Sequence, residues 1–392
     1  MRQKGISMST LVHYIHENGD RTFLESPFNE VDGLILAHGA IFDYSTTTEY
    51  DPFTFAEISH EEQIHEMIEK SEDKKNDFQL VKAMRESERF SSIEIVDYES
   101  IISTELRKNF GAVAYKLPTE EGVVAFKGSD TSFLSWEENL NLAFQEPIPS
   151  LKSAIQFLKR VLENSRDSQY VLGHSKGGYL ATAASLQMPI HLQKQILEVF
   201  NYDGPGIFQI KDQKKLLDQF QPEINKYITQ SSFIGRMFEK SNQFKVIDST
   251  ASGFSEHRPH TWKIEGNSLK YLTKTSFLSN RIGNVFNHFI DRLDDEEASN
   301  VVETLFNVLN ESKFSSFADF KNINLEKIKS VYHQRGVLDK DMFHSILKLV
   351  KLVAIAFSID LHENLSAKSI SKKEEIHSYV TEYKSQLSNF LR

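Results

Sequence analysis

A sharp reversal between a buried strand and a helix constrains this chain more than any other feature of its sequence. Residues 170–185 read YVLGHSKGGYLATAAS, in which an apolar run leads into a serine and a run of small residues follows it. A backbone that turns this tightly leaves no room for side chains two positions before and after the serine. The G-x-S-x-G pattern of Gly173–Gly177 therefore predicts a strand, a turn and a helix, with Ser175 at the apex.

Strand and helix patterns alternate along the chain around this turn. The stretch at 150–165 predicts an amphipathic helix with Ser150 as its N-cap. Short apolar runs bounded by turn residues predict strands at 112–117, 123–126, 169–173, 197–202, 225–230, 244–249 and 261–264. Strands that alternate with helices predict a mostly parallel sheet that is covered by helices on both faces.

The pattern changes near residue 265. Beyond it the apolar residues recur at helical spacing, as in EEASNVVETLFNVLNES, and no convincing strand pattern remains. We therefore predict an α/β domain over residues 1–265 and a helical accessory region over residues 266–392.

Composition narrows the classes of function. The net charge is −10 and the chain has no stripe of Lys and Arg, which argues against a nucleic-acid binder. The absence of cysteine excludes disulfides, thiolate metal sites and a cysteine nucleophile. The most apolar stretch, 346–361, is interrupted by Lys348 and Lys351 and is shorter than the about 20 residues of a membrane span. Because the N-terminus also lacks the apolar core of a secretion signal, we expect a cytoplasmic protein that contacts membranes at most peripherally.

A serine hydroxyl needs a base before it can act as a nucleophile, so Ser175 requires a histidine partner. His257 and His260 lie in STASGFSEHRPHTWKI, a polar loop between two predicted strands. Of the two we favour His257. The carboxylate that would orient it is either Asp203, which ends the strand LEVFNY, or Asp248 in KVIDST. Asp203 is preferred, because active sites form where parallel strands end at the carboxyl edge of a sheet.

An acyl-transfer site also needs donors for the developing oxyanion. The backbone N–H of Lys176, directly after the serine, lies at the start of the predicted helix. A second donor is expected from the loop after an earlier strand. Ser129 fits this position, because VVAF ends at Phe126 and is followed by Lys-Gly-Ser.

Four motifs together resemble a known family. VVAFKGSDTSFLSWEENLNLAF is similar to the oxyanion strand and Trp-bearing helix of fungal-type (class 3) lipases. With GHSKGGYLA, NYDGPG and EHRPHTW, the chain resembles more closely the bacterial Mbeg-like family of α/β-hydrolases, over about residues 25–265. The resemblance implies an α/β-hydrolase fold, with Ser175 as nucleophile, His257 as base and Ser129 as oxyanion donor.

The chain departs from the class 3 lipase pattern at two places. Lys127 stands where those lipases carry arginine. They also place the acid after a later strand, where this chain reads YITQSSFIG and offers Ser231 and Ser232 instead of a carboxylate. An acid after the preceding strand, as in pancreatic-type lipases, would be Asp203.

We therefore expect a serine hydrolase, an esterase or lipase, that cleaves carboxylic esters through an acyl-enzyme on Ser175. Such a reaction needs no metal and no organic cofactor, and its partner is an ester or acyl-lipid substrate. Two alternatives stay open. The same residues serve an acyltransferase or thioesterase, which differs only in the acceptor of the acyl group. A non-catalytic relative that binds a partner or small molecule is the other alternative.

Overall fold

The structure is a computed structural model. It describes residues 10–45, 52–130, 138, 142, 148–207, 210–277, 279–280, 283–284 and 287. Most of the predicted accessory region at 266–392, and most of the segment around Trp136, therefore lie outside the described residues. None of the helices within these ranges is long and apolar enough to cross a membrane.

A nine-stranded sheet forms the centre of the fold, in the order β1-β2-β3-β4-β5-β6-β7-β8-β11. Strands β4 to β8 are parallel to one another, and the outer pairs are antiparallel. Strands β9 and β10 form a separate antiparallel pair. The bounds are β1 Phe53–Thr54, β2 Glu94–Ser103, β3 Lys108–Lys116, β4 Gly122–Phe126, β5 Gln169–His174, β6 Ile196–Tyr202, β7 Glu223–Thr229, β8 Lys245–Ile247, β9 Ile264–Glu265, β10 Ser268–Leu269 and β11 Tyr271–Leu272.

Helices cover both faces of the sheet and bury two apolar cores against it. Helix α2 packs over β4, β5 and β6 on one face, while α5 and α6 pack on the other. Their bounds are α1 Thr10–Asn18, α2 Glu30–Gly39, α3 Glu61–Met67, α4 Lys74–Glu86, α5 Pro149–Asn164, α6 Lys176–Leu186, α7 Ile190–Gln193 and α8 Gln213–Gln219. The expected layering, a mostly parallel sheet between helices, is confirmed.

A buried ion pair organises the N-terminal helices. Arg89 binds both carboxylate oxygens of Asp32, at 2.8 and 2.5 Å, and its remaining N–H groups donate to four carbonyl oxygens of residues 21–27. Asp32 also accepts from Tyr14 and from the backbone of Asn29, the N-cap of α2. One guanidinium therefore ties the turn before α2 to the start of that helix.

Four details differ from the sequence predictions. Strand β2 was not predicted, because its residues are mostly half-buried and a register shift near Ile95 breaks the alternation of buried and exposed side chains. Ser150 is not an N-cap: α5 begins one residue earlier, and the buried Ser150 amide donates to Glu138. The strand expected at 261–264 is a 3-10 turn that ends at Thr261, with a strand starting only at Ile264.

The fourth difference lies just beyond residue 265, where no strand was expected. The chain turns at Gly266, which has a φ of 62°, and returns as β10 and then β11, the edge strand beside β8. Strands of two residues are too short to leave a periodic pattern. The division of the chain at residue 265 stays a prediction, because the described residues end at 287.

The Arg89–Asp32 pair should dominate the stability of the N-terminal helices. Arg89→Met leaves a buried carboxylate and several carbonyl groups without their donor, so we expect a loss of about 3–5 kcal/mol in the free energy of unfolding. Arg160→Met, which breaks a half-exposed pair with Asp97 and Glu99, should cost about 1 kcal/mol or less. Urea unfolding of both variants measures this, and equal losses would contradict it.

Candidate active site

Ser175 occupies a strained turn between β5 and α6. Its φ of 57° and ψ of −130° lie outside the regions that residues with a side chain readily adopt. The surrounding backbone holds this conformation, since the Ser175 amide donates to the carbonyl oxygen of Tyr202 at 2.9 Å. The turn therefore places Ser175 at the carboxyl edge of the parallel strands, as its sequence pattern predicts.

The elbow glycines have direct steric reasons. A Cβ atom on Gly173 would lie 2.3 Å from the carbonyl carbon and oxygen of Gly177. A Cβ atom on Gly177 would lie 2.0 Å from the carbonyl oxygen of Phe126, at the end of β4. Helix α6 thus meets the two strands backbone to backbone, and neither position can carry a side chain.

Asp203 and His257 are joined by a direct hydrogen bond. Asp203 follows β6 and is fully buried, and its Oδ2 lies 2.7 Å from His257 Nδ1. A carboxylate at this site accepts, so Nδ1 of His257 carries the donated proton. In the neutral ring the other nitrogen, Nε2, is then the one able to accept a proton. The pair has the geometry of an oriented general base.

Ser232 forms a second hydrogen bond to the Asp203 carboxylate. Its hydroxyl donates to Asp203 Oδ1 at 2.5 Å and accepts from the Gly235 amide at 2.9 Å. Ser232 follows β7, the place where class 3 lipases carry their acid. The serine found in YITQSSFIG at this place therefore hydrogen-bonds the Asp203 carboxylate, which follows the neighbouring strand. Sequence reasoning noted Ser232 but did not connect it with Asp203.

His174, the residue before the serine, contacts His257 directly. Its Nε2 donates to the backbone oxygen of His257 at 2.7 Å, and the two ring centroids lie 4.5 Å apart. Burial, reinforced by the nearby His257 and His38, lowers the pKa of His174 well below its ordinary value. His174 is therefore a neutral donor beneath the loop. Its place inside the G-x-S-x-G pattern was the available signal for this role.

The loop that carries His257 is held on its other side by Glu256. The Glu256 carboxylate accepts from the Ser231 amide at 2.7 Å, and its backbone oxygen accepts from Trp262 Nε1 at 2.8 Å. Burial raises the pKa of Glu256. The loop is thus bonded to the end of β7 and to a fully buried tryptophan.

The other two candidates from the sequence point elsewhere. Asp248, the alternative acid, pairs with Lys263 Nζ at 2.9 Å. His260, the alternative base, bonds Asp77 on α4 through Nε2 at 2.6 Å. The described hydrogen bonds include none between Ser175 Oγ and His257. Such bonds are often long in unliganded enzymes and tighten when substrate binds.

The expected oxyanion donors border the serine. Gly128 packs so closely that a Cβ atom there would lie 3.3 Å from Ser175 Cβ, which brings the following Ser129 to the same edge. The Lys176 side chain points the other way and is fully buried, with Nζ 2.6 Å from both Glu138 Oε2 and the Asn109 carbonyl oxygen. Lys176 therefore presents its backbone, and not its charge, to the site.

Comparisons with known proteins find one matching family and several similar structures. The model of the Mbeg1-like family matches residues 84–307, more than half of the chain. A crystal structure of a mutant MDLA from Penicillium cyclopium shares 16% identity, covers 61% of this chain and 83% of that chain, and has a TM-score of 0.35. A fungal lipase structure shares 13% identity over 62% and 84%, with a TM-score of 0.36. No curated protein matches. The parallel strands β4 to β8 between two layers of helices, with Ser175 on the turn between β5 and α6, form the α/β-hydrolase fold that the motifs implied.

Three titratable groups should make the fold sensitive to acid. Burial lowers the pKa of His174 and of His260, and for Asp77 the nearby His38 and His260 outweigh burial and lower the pKa. Each group holds its proton less tightly when folded, so its contribution is full above the unfolded pKa and is lost as the pH falls. For the histidines that loss begins near pH 6.5, the ordinary value for this side chain.

We expect the free energy of unfolding to fall between pH 7.5 and 5.5, with a slope of up to about 1.4 kcal/mol per pH unit for each of these histidines. Urea unfolding across this range measures it. His174→Asn has no titrating group at its position and should give a shallower slope. A flat profile for the parent would contradict the expectation.

Proposed function

The chain belongs to the Mbeg1-like family, and from the residues gathered at its sheet edge we propose that it is a serine hydrolase that cleaves carboxylic esters. The observation that carries the proposal is the 2.7 Å bond between Asp203 Oδ2 and His257 Nδ1 beside a serine on a strained elbow. This combination supplies a nucleophile, a base and a group that orients the base.

Ser175 Oγ attacks the carbonyl carbon of the ester, and His257 Nε2 takes the hydroxyl proton. Asp203 keeps the base in the required tautomer and stabilises the imidazolium that forms, while Ser232 and buried surroundings hold the carboxylate in place. The imidazolium then protonates the departing alkoxide, which leaves an acyl-enzyme on Ser175. Water, deprotonated by His257, releases the acid and restores the serine.

The tetrahedral intermediates carry a negative oxygen that the backbone N–H of Lys176 stabilises at the start of α6. Ser129 supplies a second donor from the turn after β4. The partial positive charge at the helix N-terminus acts in the same direction. None of these steps needs a metal or an organic cofactor.

Acyl transfer or thioester cleavage would use the same residues and differ in the acceptor or leaving group. A binding protein without catalysis is the alternative from another class, and the absence of a Ser175–His257 hydrogen bond among the described contacts is the observation that favours it. Covalent labelling separates this alternative from the others, because only an activated serine reacts with a phosphonate.

Labelling with a fluorophosphonate tests the nucleophile and its partners. The parent protein should label and hydrolyse short esters, and Ser175→Ala and His257→Gln should do neither. Asp203→Asn should slow labelling by about 100-fold or more, because the base loses its oriented tautomer. Asp248→Asn is the matched control and should label like the parent, since its carboxylate faces Lys263.

An unlabelled parent that is folded by circular dichroism would contradict the hydrolase proposal and favour the binding protein. Slow labelling of Asp248→Asn, together with labelling of Asp203→Asn at the rate of the parent, would contradict the choice of Asp203 as the acid.

The acyl group is the second part of the proposal. The many Phe residues, 29 in the chain, and the apolar stretch at 346–361 motivate an acyl-lipid ester as substrate. We expect kcat/KM on p-nitrophenyl esters to rise from acetyl to octanoyl, because each added methylene gains favourable transfer free energy in an apolar pocket. The measurement is the hydrolysis rate of a series of p-nitrophenyl esters of increasing chain length. A butyryl thioester as substrate tests thioester cleavage, and an added alcohol as acceptor tests acyl transfer. A strict preference for acetyl would contradict a lipid substrate.

A further inference from the structure

A buried cluster of His38, Asp77 and His260 is not used by the proposed chemistry. Oδ1 of Asp77 lies 2.6 Å from His38 Nε2 and 2.6 Å from His260 Nε2, and Ser71 Oγ donates to Oδ2 of Asp77. All three side chains of the cluster are nearly inaccessible to solvent. Because a carboxylate accepts, both imidazoles donate their Nε2 protons to it.

The spacing of these atoms is that of direct hydrogen bonds. A tetrahedral zinc ion with bonds of about 2.0 Å would hold such nitrogen and oxygen ligands about 3.3 Å apart. The two distances between imidazole nitrogen and carboxylate oxygen in the cluster are shorter, 2.6 Å each. The two imidazoles and the Ser71 hydroxyl instead donate to the ionised Asp77 carboxylate. Burial of this carboxylate without hydrogen bonds would cost much free energy.

The cluster joins two N-terminal helices to the loop of the catalytic base. His38 lies in α2, Asp77 lies in α4, and His260 lies three residues after His257. The backbone oxygen of His260 also accepts from Thr10 Oγ1 on α1, at 3.0 Å. His260 is therefore held by residues of three helices, α1, α2 and α4.

The chain between His257 and His260 is short. His257 ends one 3-10 turn and His260 lies in the next, which begins with Pro259. Around the second turn the Thr261 amide donates to the Arg258 carbonyl oxygen at 3.0 Å, and the Trp262 amide donates to that of Pro259 at 3.1 Å. A shift of His260 therefore moves the backbone that carries His257.

We propose that the cluster of His38, Asp77 and His260 positions the base loop, so that His260 is a positioning residue for His257. The proposal rests on the proposed function, because it concerns the alignment of His257 with Asp203 and Ser175. His38 and Asp77 lie outside the residues 84–307 that match the family model. The N-terminal helices of this chain thus contribute to catalysis without contacting the substrate.

Two variants of His260 in the full-length protein separate positioning from general stability. His260→Gln places an amide N–H near the former Nε2 and can still reach Asp77. His260→Asn has the same chemistry but is one methylene shorter and cannot. We expect His260→Gln to resemble the parent, and His260→Asn to lose about 10- to 100-fold in kcat with little change in KM.

A second readout follows the base itself. The Nδ1 proton of His257 should give a downfield ¹H resonance, identified by its loss in His257→Gln. This resonance should shift or broaden in His260→Asn and stay in place in His260→Gln. Lys263→Met breaks a partly exposed ion pair next to the same loop and is the control, expected to change neither kcat nor the resonance.

Several outcomes would overturn the proposal. A folded His260→Asn that has lost stability but keeps the parent kcat and resonance shows a structural role only. One equivalent of tightly held zinc in the parent, lost in His260→Asn, shows a metal site. If His260→Asn does not fold, His38→Asn removes one bond and leaves the loop histidine intact, and the same two readouts decide. If the parent itself neither labels nor hydrolyses, the proposed function fails. The His257 resonance in the two His260 variants then tests by itself whether His260 positions His257.

Discussion

Backbone-to-backbone contact between α6 and the ends of β4 and β5 is the constraint on which the rest of the site depends. Gly177 meets the Phe126 carbonyl oxygen and Gly173 meets Gly177, with no space for a side chain at either glycine. This contact forces Ser175 into its strained conformation, and it brings the turn after β4 against the serine. One steric requirement thus sets the position of Ser175, the start of α6 and the neighbouring turn at Gly128.

The partners of Ser175 are held by the two sides of the fold together. Asp203 and Ser232 come from the ends of β6 and β7, which belong to the central sheet. His257 comes from a loop that is bonded to His174 from below, to Trp262 through Glu256, and to the N-terminal helices through His260. The sheet therefore holds Asp203, the proposed acid, and contacts outside the sheet hold the loop of His257, the proposed base.

Local features of the site could be predicted from the sequence, and the long-range pairings could not. The elbow is a property of consecutive residues, so its steric requirements can be predicted from G-x-S-x-G and its flanks within residues 170–185. Asp203 and His257 lie 54 positions apart, and sequence patterns ranked them above Asp248 and His260 without excluding either alternative. Only the folded chain shows that the Asp203 carboxylate contacts an imidazole while that of Asp248 contacts an ammonium group.

The same distinction explains which parts of the fold were missed. Buried strands β3 to β8 carry apolar runs, whereas β2 is a mostly half-buried strand in which a register shift breaks the alternation. Ser150 has the residue type of a helix cap, but tertiary contact with Glu138 recruits its amide instead. The pairing of Lys176 with Glu138 likewise joins two charges 38 positions apart, and no local rule predicts it.

The contact between Ser232 and Asp203 has a consequence for how such sites are recognised. The ends of two adjacent parallel strands place Asp203 and Ser232 within hydrogen-bonding distance of each other, and Asp203 in turn bonds the His257 imidazole. The geometry therefore specifies where the carboxylate must lie in space, and it does not specify which of the two strands must supply it. A motif that assigns the acid to one strand describes a single solution, and the neighbouring strand offers an equivalent one.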